Sequence, residues 1–512
     1  TVKHIAGGVF KNNGKISEVI LPNELLSIGD NAFKGTALST VTIPRSVTKI
    51  GTNAFPSCNL KVYQPSAGYD YNSSNKTVLN DSYTKGNDTF YYIIKSDDTA
   101  EIVGCETTST ELTVPEEIDG HTVSAIGDYG FAKCATLKSI TIPKNIKTIG
   151  KYAFNGCTGL INATIPTTVS SVGDYAFNNC TGLKNVTISE GVVSIGKGCF
   201  YNCTSLAEAV VPDTAKYVGA YAFYNCTSMV NATIGTTTES IGECTFYNCE
   251  KLETVVIGYS VKSIGDYAFY NCALGRVSVP TATTVIGNFA FAKNSNLTKA
   301  TLRKNLLTIG DGAFKDCSLL STISIPTTVT SIGNEAFENC TSIASVTIPT
   351  GVTEIKKRTF SNCSSLANVT IKGEVTSIGE SAFLNNAFTA IQLPETLKTI
   401  GSSAFKNCGK LEKITLPNNT ANIGNAAFLN CSALHLVSMP DSVASVGQNV
   451  FFYNDDITVE IRKNSGTVAD KLLAQQGVHH VILDENISTI GKNVFDSCYE
   501  LSSVTYGSET VK

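Results

Sequence analysis

Phenylalanine recurs along the chain with a fixed step: at 10, 33 and 55, at fifteen positions from 131 to 451 set 23 or 22 residues apart, and again at 495. Nineteen copies of one unit are marked in this way. A unit of this length makes one turn of a solenoid, with too little apolar surface to fold alone, so each turn must bury its inner face against its neighbours. A chain of 512 residues patterned like this is a repeat array before it is anything else.

The unit reads L-x-x-V-T-I-P-x-x-V-x-S-I-G-x-x-A-F-x-N-C-x-x, as in LKSITIPKNIKTIGKYAFNGCTG at 137–159. Residues 140–142 (ITI) alternate inward, outward, inward, which predicts a strand with one buried face. Pro143 ends it, since proline cannot donate to a ladder, and Ile146 and Ile149 predict a short return strand or extended segment. Gly150 is expected to turn the corner, using glycine's tolerance of positive φ. Asp often follows the glycine, at 30, 128, 174, 266 and 311, where it is expected to cap a brief helical turn over Tyr-Ala-Phe. Like residues then stack over like, roughly 4.8 Å apart on the sheet side. The local reading is therefore α/β: strand, corner, short helical turn.

Two interruptions organise the array. Between Phe55 and Phe131 the segment 64–88 is polar and lacks the period, which predicts a short first array over 1–65, a connector over 66–88 and a main array over 89–512 that opens with FYYIIK and ELTVP. Between Phe451 and Phe495, the apolar spacing of Val468, Leu472 and Leu473 within 465–477 predicts a short helical insertion ending at Gly477 and lying along one edge.

Composition excludes several partners. Charged residues are only 16% of the chain and the net charge is -4, so nothing steers it toward nucleic acid or acidic lipid. No run approaches the eighteen or so apolar residues that a spanning helix needs, so no membrane insertion is expected within this chain. The start, TVKHIAGGVF, lacks a charged region followed by an apolar core. Residue 5 already fills the repeat's Ile slot, so the chain is expected to open inside a unit, mature or trimmed.

These residues resemble the bacterial BspA-like leucine-rich-repeat surface proteins, whose unit reads SIGxxAFxxCxxLxxVTIPxSV. SIGDNAF at 27–33 and SIGNEAF at 331–337 carry the match, and it runs through almost the whole chain. The resemblance implies an α/β leucine-rich-repeat solenoid: a right-handed curved array with short parallel strands on the concave face and short helical or 3-10 turns and extended segments opposite. It also implies secretion or cell-surface display and adhesion to host or bacterial macromolecules, with a host matrix or surface protein or a glycan as partner. It brings no catalytic residue and no cofactor. Departures occur at Lys356 in the glycine slot and at Asn294, Asn386 and Asn454 in the cysteine slot, which marks both slots as structural and tolerant.

Candidate chemistry is thin. Of 17 cysteines, fourteen sit seven residues after the turn glycine or its equivalent, the exceptions being Cys105, Cys199 and Cys244. A residue repeated at every turn reads as a buried thiol column, because buried cysteine behaves as a small hydrophobe. A nucleophile needs a base in reach, yet the five histidines, at 4, 121, 435, 479 and 480, are scattered. His121, near Cys134, is the one accidental dyad to consider. The adjacent His479 and His480 cannot both face one metal from a strand. Lys151, Lys197 and Lys492 share the Asp slot, which argues against a calcium column, and no GxxxxGK or CxxC appears. The expectation is a non-enzymatic chain without metal or cofactor.

Two surfaces remain. The outward strand positions Thr141, Thr164, Thr187, Thr233, Ser278, Ser324, Thr347, Thr370, Gln392 and Thr415 form a neutral stripe suited either to binding along an extended face or simply to a solvated strand. Tyr201, Tyr224, Tyr247 and Tyr270 follow the inward phenylalanine on four consecutive units; they suit an interface, or lateral packing between turns. The function expected is adhesin-like binding through one of these faces. The alternative is a passive spacer or antigenic stalk.

Overall fold

A turn of 22 or 23 residues has room for two extended stretches and two reversals, and each turn contains those. The computed structural model describes residues 2–511 except 23, 45, 48, 57, 58, 63–76, 80, 81 and 508. It divides into two units, Thr1–Met229 and Val230–Lys512, and parallel strands wind through about 21 turns of leucine-rich-repeat type. Of the connector expected at 66–88, residues 66–76, 80 and 81 lie outside the described residues; strands occupy Thr77–Leu79 and Ser82–Lys85.

In the first unit, one sheet stacks Glu111–Thr113, Ser139–Thr141, Asn162–Ile165 and Asn185–Ile188 in parallel register, so that Thr164 faces Thr187 and Ile165 faces Ile188. A second stacks the short return strands, His121–Ile126, Thr148–Ile149, Ser171–Val172, Ser194–Ile195 and Tyr217–Val218. This second sheet begins with an antiparallel meander, Ser82–Lys85, Asp88–Ile94 and Ala100–Glu106, whose last strand pairs in parallel with His121–Ile126. Residues 4–5, 27–28 and 49–50 pair likewise, over a local core from Leu21 to Phe55. The second unit repeats the two-sheet plan, from Asn231–Thr233 and Ser240–Ile241 to Ser503–Tyr506, which is closed by an antiparallel strand at Glu509–Val511.

From Phe131 to Phe451 each phenylalanine in the repeated slot is fully buried, and within each unit the rings lie flat on one another. Phe131, Phe154, Phe177, Phe200 and Phe223 stack at 4.8–5.3 Å in the first unit. Phe246 to Phe451 do so at 5.2–6.1 Å in the second.

The corners differ from the sequence expectation. No helix occurs among the described residues, so the α half of the α/β reading and the helical or 3-10 turns are not found. At Tyr152-Ala153-Phe154-Asn155-Gly156 the backbone N–H groups alternate. Those of Tyr152, Phe154 and Gly156 donate to carbonyls of the following turn at 2.7–3.0 Å, while those of Asn155 and Cys157 close three-residue turns onto Tyr152 and Phe154. A helix would need every one of these donors for its own turn; the neighbouring turn takes half of them. The alternation puts two residues per corner at positive φ, two and six places after the glycine: Tyr152 at 53° and Gly156 at 73°, then Tyr175 and Asn179, both at 56°.

Gly150 itself is not among the positive-φ residues. At these turns a side chain is disfavoured for another reason, though Lys356 fills the equivalent slot elsewhere: a Cβ on Gly150 would lie 2.6 Å from the Asp128 backbone nitrogen, and one on Gly173 would lie 2.5 Å from the Gly150 carbonyl carbon. The Asp after it caps no helix. Its Oδ1 accepts the backbone N–H of the corresponding residue one turn on: Asp128 from Lys151 at 2.7 Å, Asp174 from Lys197 at 2.9 Å and Asp311 from Asn334 at 2.7 Å. A lysine in the slot still donates its N–H, and therefore alternates with Asp without harm.

The insertion expected at 465–477 is an ordinary turn. Thr467–Val468 is its return strand, Asp470 accepts the Lys492 N–H at 2.7 Å, and Lys471 and Gln475 are the two positive-φ residues, at 56° and 58°. Leu473 stands in the phenylalanine slot, fully buried. Asp441, itself buried, shapes the approach to this turn by accepting the consecutive N–H groups of Asn464, Ser465 and Gly466.

Candidate binding faces

The reactive-site candidates resolve first. Sixteen cysteines are described as thiols, and fifteen of them are buried. In the repeated slot the thiols point at a carbonyl of the preceding turn, in most turns that of its phenylalanine: Cys157 Sγ to Phe131 O at 3.0 Å, Cys340 to Phe314 at 3.1 Å, Cys431 to Phe405 at 3.1 Å. The asparagines that replace cysteine make the same contact through Nδ2, Asn294 to Phe269 at 2.8 Å, Asn386 to Phe360 at 3.0 Å and Asn454 to Phe428 at 3.0 Å. The slot therefore selects a small buried donor, which the reading of cysteine as a hydrophobe missed. The recurring Asn shared between Cys and Asn was the available signal. Burial pushes the thiols of Cys317, Cys363 and Cys431 up to about 12, away from the thiolate that nucleophilic chemistry requires.

His121 does not meet Cys134. Its Nδ1 lies 3.0 Å from Asp98 Oδ1, while Cys134 is buried. A grouping the sequence did not suggest appears near the C-terminal end of the second unit: His480 Nε2 is 2.8 Å from Asp456 Oδ1, and its Nδ1 is 2.8 Å from Ser503 Oγ. Acid, imidazole and hydroxyl in line have the composition of a hydrolase triad. The surroundings do not complete one. The Asp456 side chain is 80% exposed, and the N–H groups of Ser502 and Ser503 are both directed at the His479 carbonyl, leaving neither for an oxyanion. It is a polar column linking three turns. Among the described residues no cluster of His, Cys, Asp or Glu could hold a metal ion, and no helix is long and apolar enough to cross a membrane.

The strand-face stripe lies as follows. Thr141, Thr164 and Thr187 in the first unit, and Ser278, Ser324, Thr347, Thr370, Gln392 and Thr415 in the second, are exposed; Thr233 is half-buried. Gln392 sits in an extended segment outside any strand. None of these side chains makes a hydrogen bond among the described residues. Hydroxyls elsewhere in the same turns behave differently: Thr168, Thr214, Thr283 and Thr328 donate to the carbonyls of Ile146, Val192, Val261 and Leu306 at 2.6–2.9 Å. The strand face thus holds polar groups that the fold itself does not use.

The tyrosines are engaged in packing. Tyr201 and Tyr224 stack at 4.6 Å and 1°, and Tyr247 and Tyr270 at 4.8 Å and 11°, all four half-buried. Lys293 lies over the Tyr270 ring at 5.3 Å. A further aromatic column, unnoticed in the sequence, occupies the first positive-φ slot: Tyr129, Tyr152 and Tyr175 stack at 5.0 and 5.2 Å. Beside the tyrosines run side-chain amides, with Asn202 donating to Asn179 at 3.0 Å and Asn362 to Asn339 at 2.8 Å.

The sequence matches the family described as BspA type leucine-rich repeat region over residues 1–76, 106–230, 216–344, 307–434 and 398–512. No curated protein matches the chain. Among solved structures, a leucine-rich repeat protein from Bacteroides ovatus is similar at 22% identity, covering 74% of this chain and 94% of that one, with a TM-score of 0.52; the likeness is one of fold. A leucine rich cell surface protein from Faecalibacterium prausnitzii matches at 25% identity over 75% of this chain and 95% of its own, TM-score 0.40. The pneumococcal vaccine antigen PcpA matches at 16% identity over 83% and 98%, TM-score 0.40.

Proposed function

The chain belongs to the BspA-type leucine-rich-repeat family, and on that premise we propose that it is a secreted or cell-surface, adhesin-like protein that binds a host or bacterial macromolecule and catalyses nothing. One observation carries the reading: the strand face keeps a register of exposed hydroxyls and amides that hold no partner in the fold, while comparable hydroxyls elsewhere are spent on backbone carbonyls. Polar groups left unpaired on a rigid, periodic surface are those a ligand can satisfy without displacing an internal bond. The tyrosine row is the secondary candidate, since its rings already spend much of their area on one another. The domain plan carried with the proposal is a short array over 1–65, a connector and a main array over 89–512.

Binding of the whole chain to immobilised matrix proteins and glycans tests the reading. A bound ligand should be lost on replacing Thr347 and Thr370 by Glu and kept when Tyr201, Tyr224, Tyr247 and Tyr270 become Ser. The reverse pattern would transfer the site to the tyrosines. A folded chain that binds nothing across a broad panel would favour a passive spacer.

A further inference from the structure

The strand face is neutral over most of its length but not everywhere. In the second unit, three exposed cations lie on two adjacent turns: Arg276 and Lys299, directly opposite in parallel register, and Arg303, just past the strand that Lys299 opens. None makes an ion pair or side-chain hydrogen bond among the described residues, unlike Lys262, which is paired to Glu239 at 2.9 Å, and Lys315, paired to Glu335 at 2.7 Å. The preceding turn leaves large apolar groups in water, Val256 at 62% exposure and Tyr259 at 69%. Two shallow grooves flank them. One, of about 590 Å³, is lined by Arg276, Thr298 and Glu253, the one acid present; the other, of about 420 Å³, by Val256, Tyr259, Ser278, Thr281 and Arg303.

We infer that this patch is a subsite for an acidic polysaccharide, its carboxylates meeting Arg276, Lys299 and Arg303 and a sugar ring lying on Tyr259. The inference rests on the strand face being the binding surface. Charge selects the ligand's sign, because unpaired guanidinium groups donate to carboxylates in bidentate fashion. The side chains favour a sugar over a peptide. Strands 276–278, 299–301 and 322–323 are hydrogen-bonded to one another in a three-stranded sheet, and the patch presents an exposed aromatic face, cations, and the hydroxyls of Ser278 and Thr281. A polyhydroxylated, anionic chain answers all three.

The test uses a fluorescently labelled galacturonate octamer, with a neutral galactose octamer and poly-glutamate as comparisons, on the whole chain. The galacturonate should bind and the neutral oligomer should not, with affinity falling as salt rises. Arg276→Glu with Arg303→Glu should weaken binding about tenfold or more, and Tyr259→Ser should weaken it severalfold, with thermal unfolding unchanged in both. Galacturonate that fails to bind, or that binds the charge-reversed variant equally, overturns the inference. So does poly-glutamate binding as tightly and indifferently to Tyr259→Ser, which would assign the patch to acidic peptides. If galacturonate is inert while a panel ligand still depends on Thr347 and Thr370, this subsite fails and the strand-face reading stands.

Discussion

Substitution at Cys340 separates two accounts of the cysteine slot. Its side chain is fully buried, and its Sγ lies 3.1 Å from the Phe314 carbonyl, which also accepts the Cys317 N–H at 3.3 Å. If the thiol acts as a donor, Cys340→Ala removes a buried sulfur, about 1 kcal/mol by area, and an S–H···O contact of about 0.5–1 kcal/mol, for a loss of about 1.5–2 kcal/mol. Cys340→Asn restores the donor as Asn294, Asn386 and Asn454 do, and should stay within about 1 kcal/mol of the parent. If the thiol is only a hydrophobe, the order inverts: Ala is mild, and Asn pays for an unpaired buried amide with about 1–3 kcal/mol or more. Native-state hydrogen exchange at residues 337–343 reads the local opening free energy, which suits an array whose turns need not unfold together. Asn less stable than Ala would refute the donor account. The reciprocal Asn386→Cys should be neutral or stabilising, because Asn386 Oδ1 is buried without a hydrogen-bond partner.

Further outcomes are expected. Phe314→Ala, between rings at 5.4 and 5.5 Å, should lose about 3–5 kcal/mol and raise exchange in the adjoining turns far more than in distant ones; uniform loosening of the second unit would contradict nearest-neighbour stabilisation. Burial raises the thiols of Cys317, Cys363 and Cys431 from 9.0 to about 12, so the fold favours their protonated form. Their contribution is whole below about pH 9 and is lost as pH rises toward 12; unfolding midpoints should hold level to pH 9 and then fall, and a midpoint that rises above pH 9 would invert the sign. A thiol reagent should leave the buried cysteines untouched until the chain unfolds. A fluorophosphonate should not label Ser503, and labelling that disappears in His480→Ala would make the Asp456–His480–Ser503 column catalytic after all.

The period made the solenoid legible. Phe154, Ile149 and the alternation of 140–142 declare stacking turns with one buried face, and burial places them as expected. The corner was not legible, because Asp, Tyr-Ala-Phe and glycine in sequence are also the signals of a capped helical turn. What decides against the helix is the demand of the next turn for half of the backbone donors, a tertiary effect that no single unit contains. Leu473 escaped notice because phenylalanine served as the ruler, and a buried aliphatic fills the same slot. On the strand face the exposed threonines were legible as outward positions, but their lack of internal partners was not. The patch around Arg276, Arg303 and Tyr259 was missed because its members occupy different slots in successive units and meet only across turns.

The corner hydrogen bonds also govern how such a molecule can change its length. Most turns donate forward from the same three backbone groups and receive on the same three carbonyls, and their Asp, Asn and Cys side chains bond to the matching place in an adjoining turn. Where this pattern holds, the upper surface of one turn is complementary to the lower surface of another. Loss or gain of a whole unit, such as residues 311–333, rejoins two compatible surfaces and leaves every column continuous, whereas a shift of a few residues would misalign all of them at once. Genes for such chains can lengthen or shorten by unequal recombination in quanta of one repeat, varying reach while the fold stays sound.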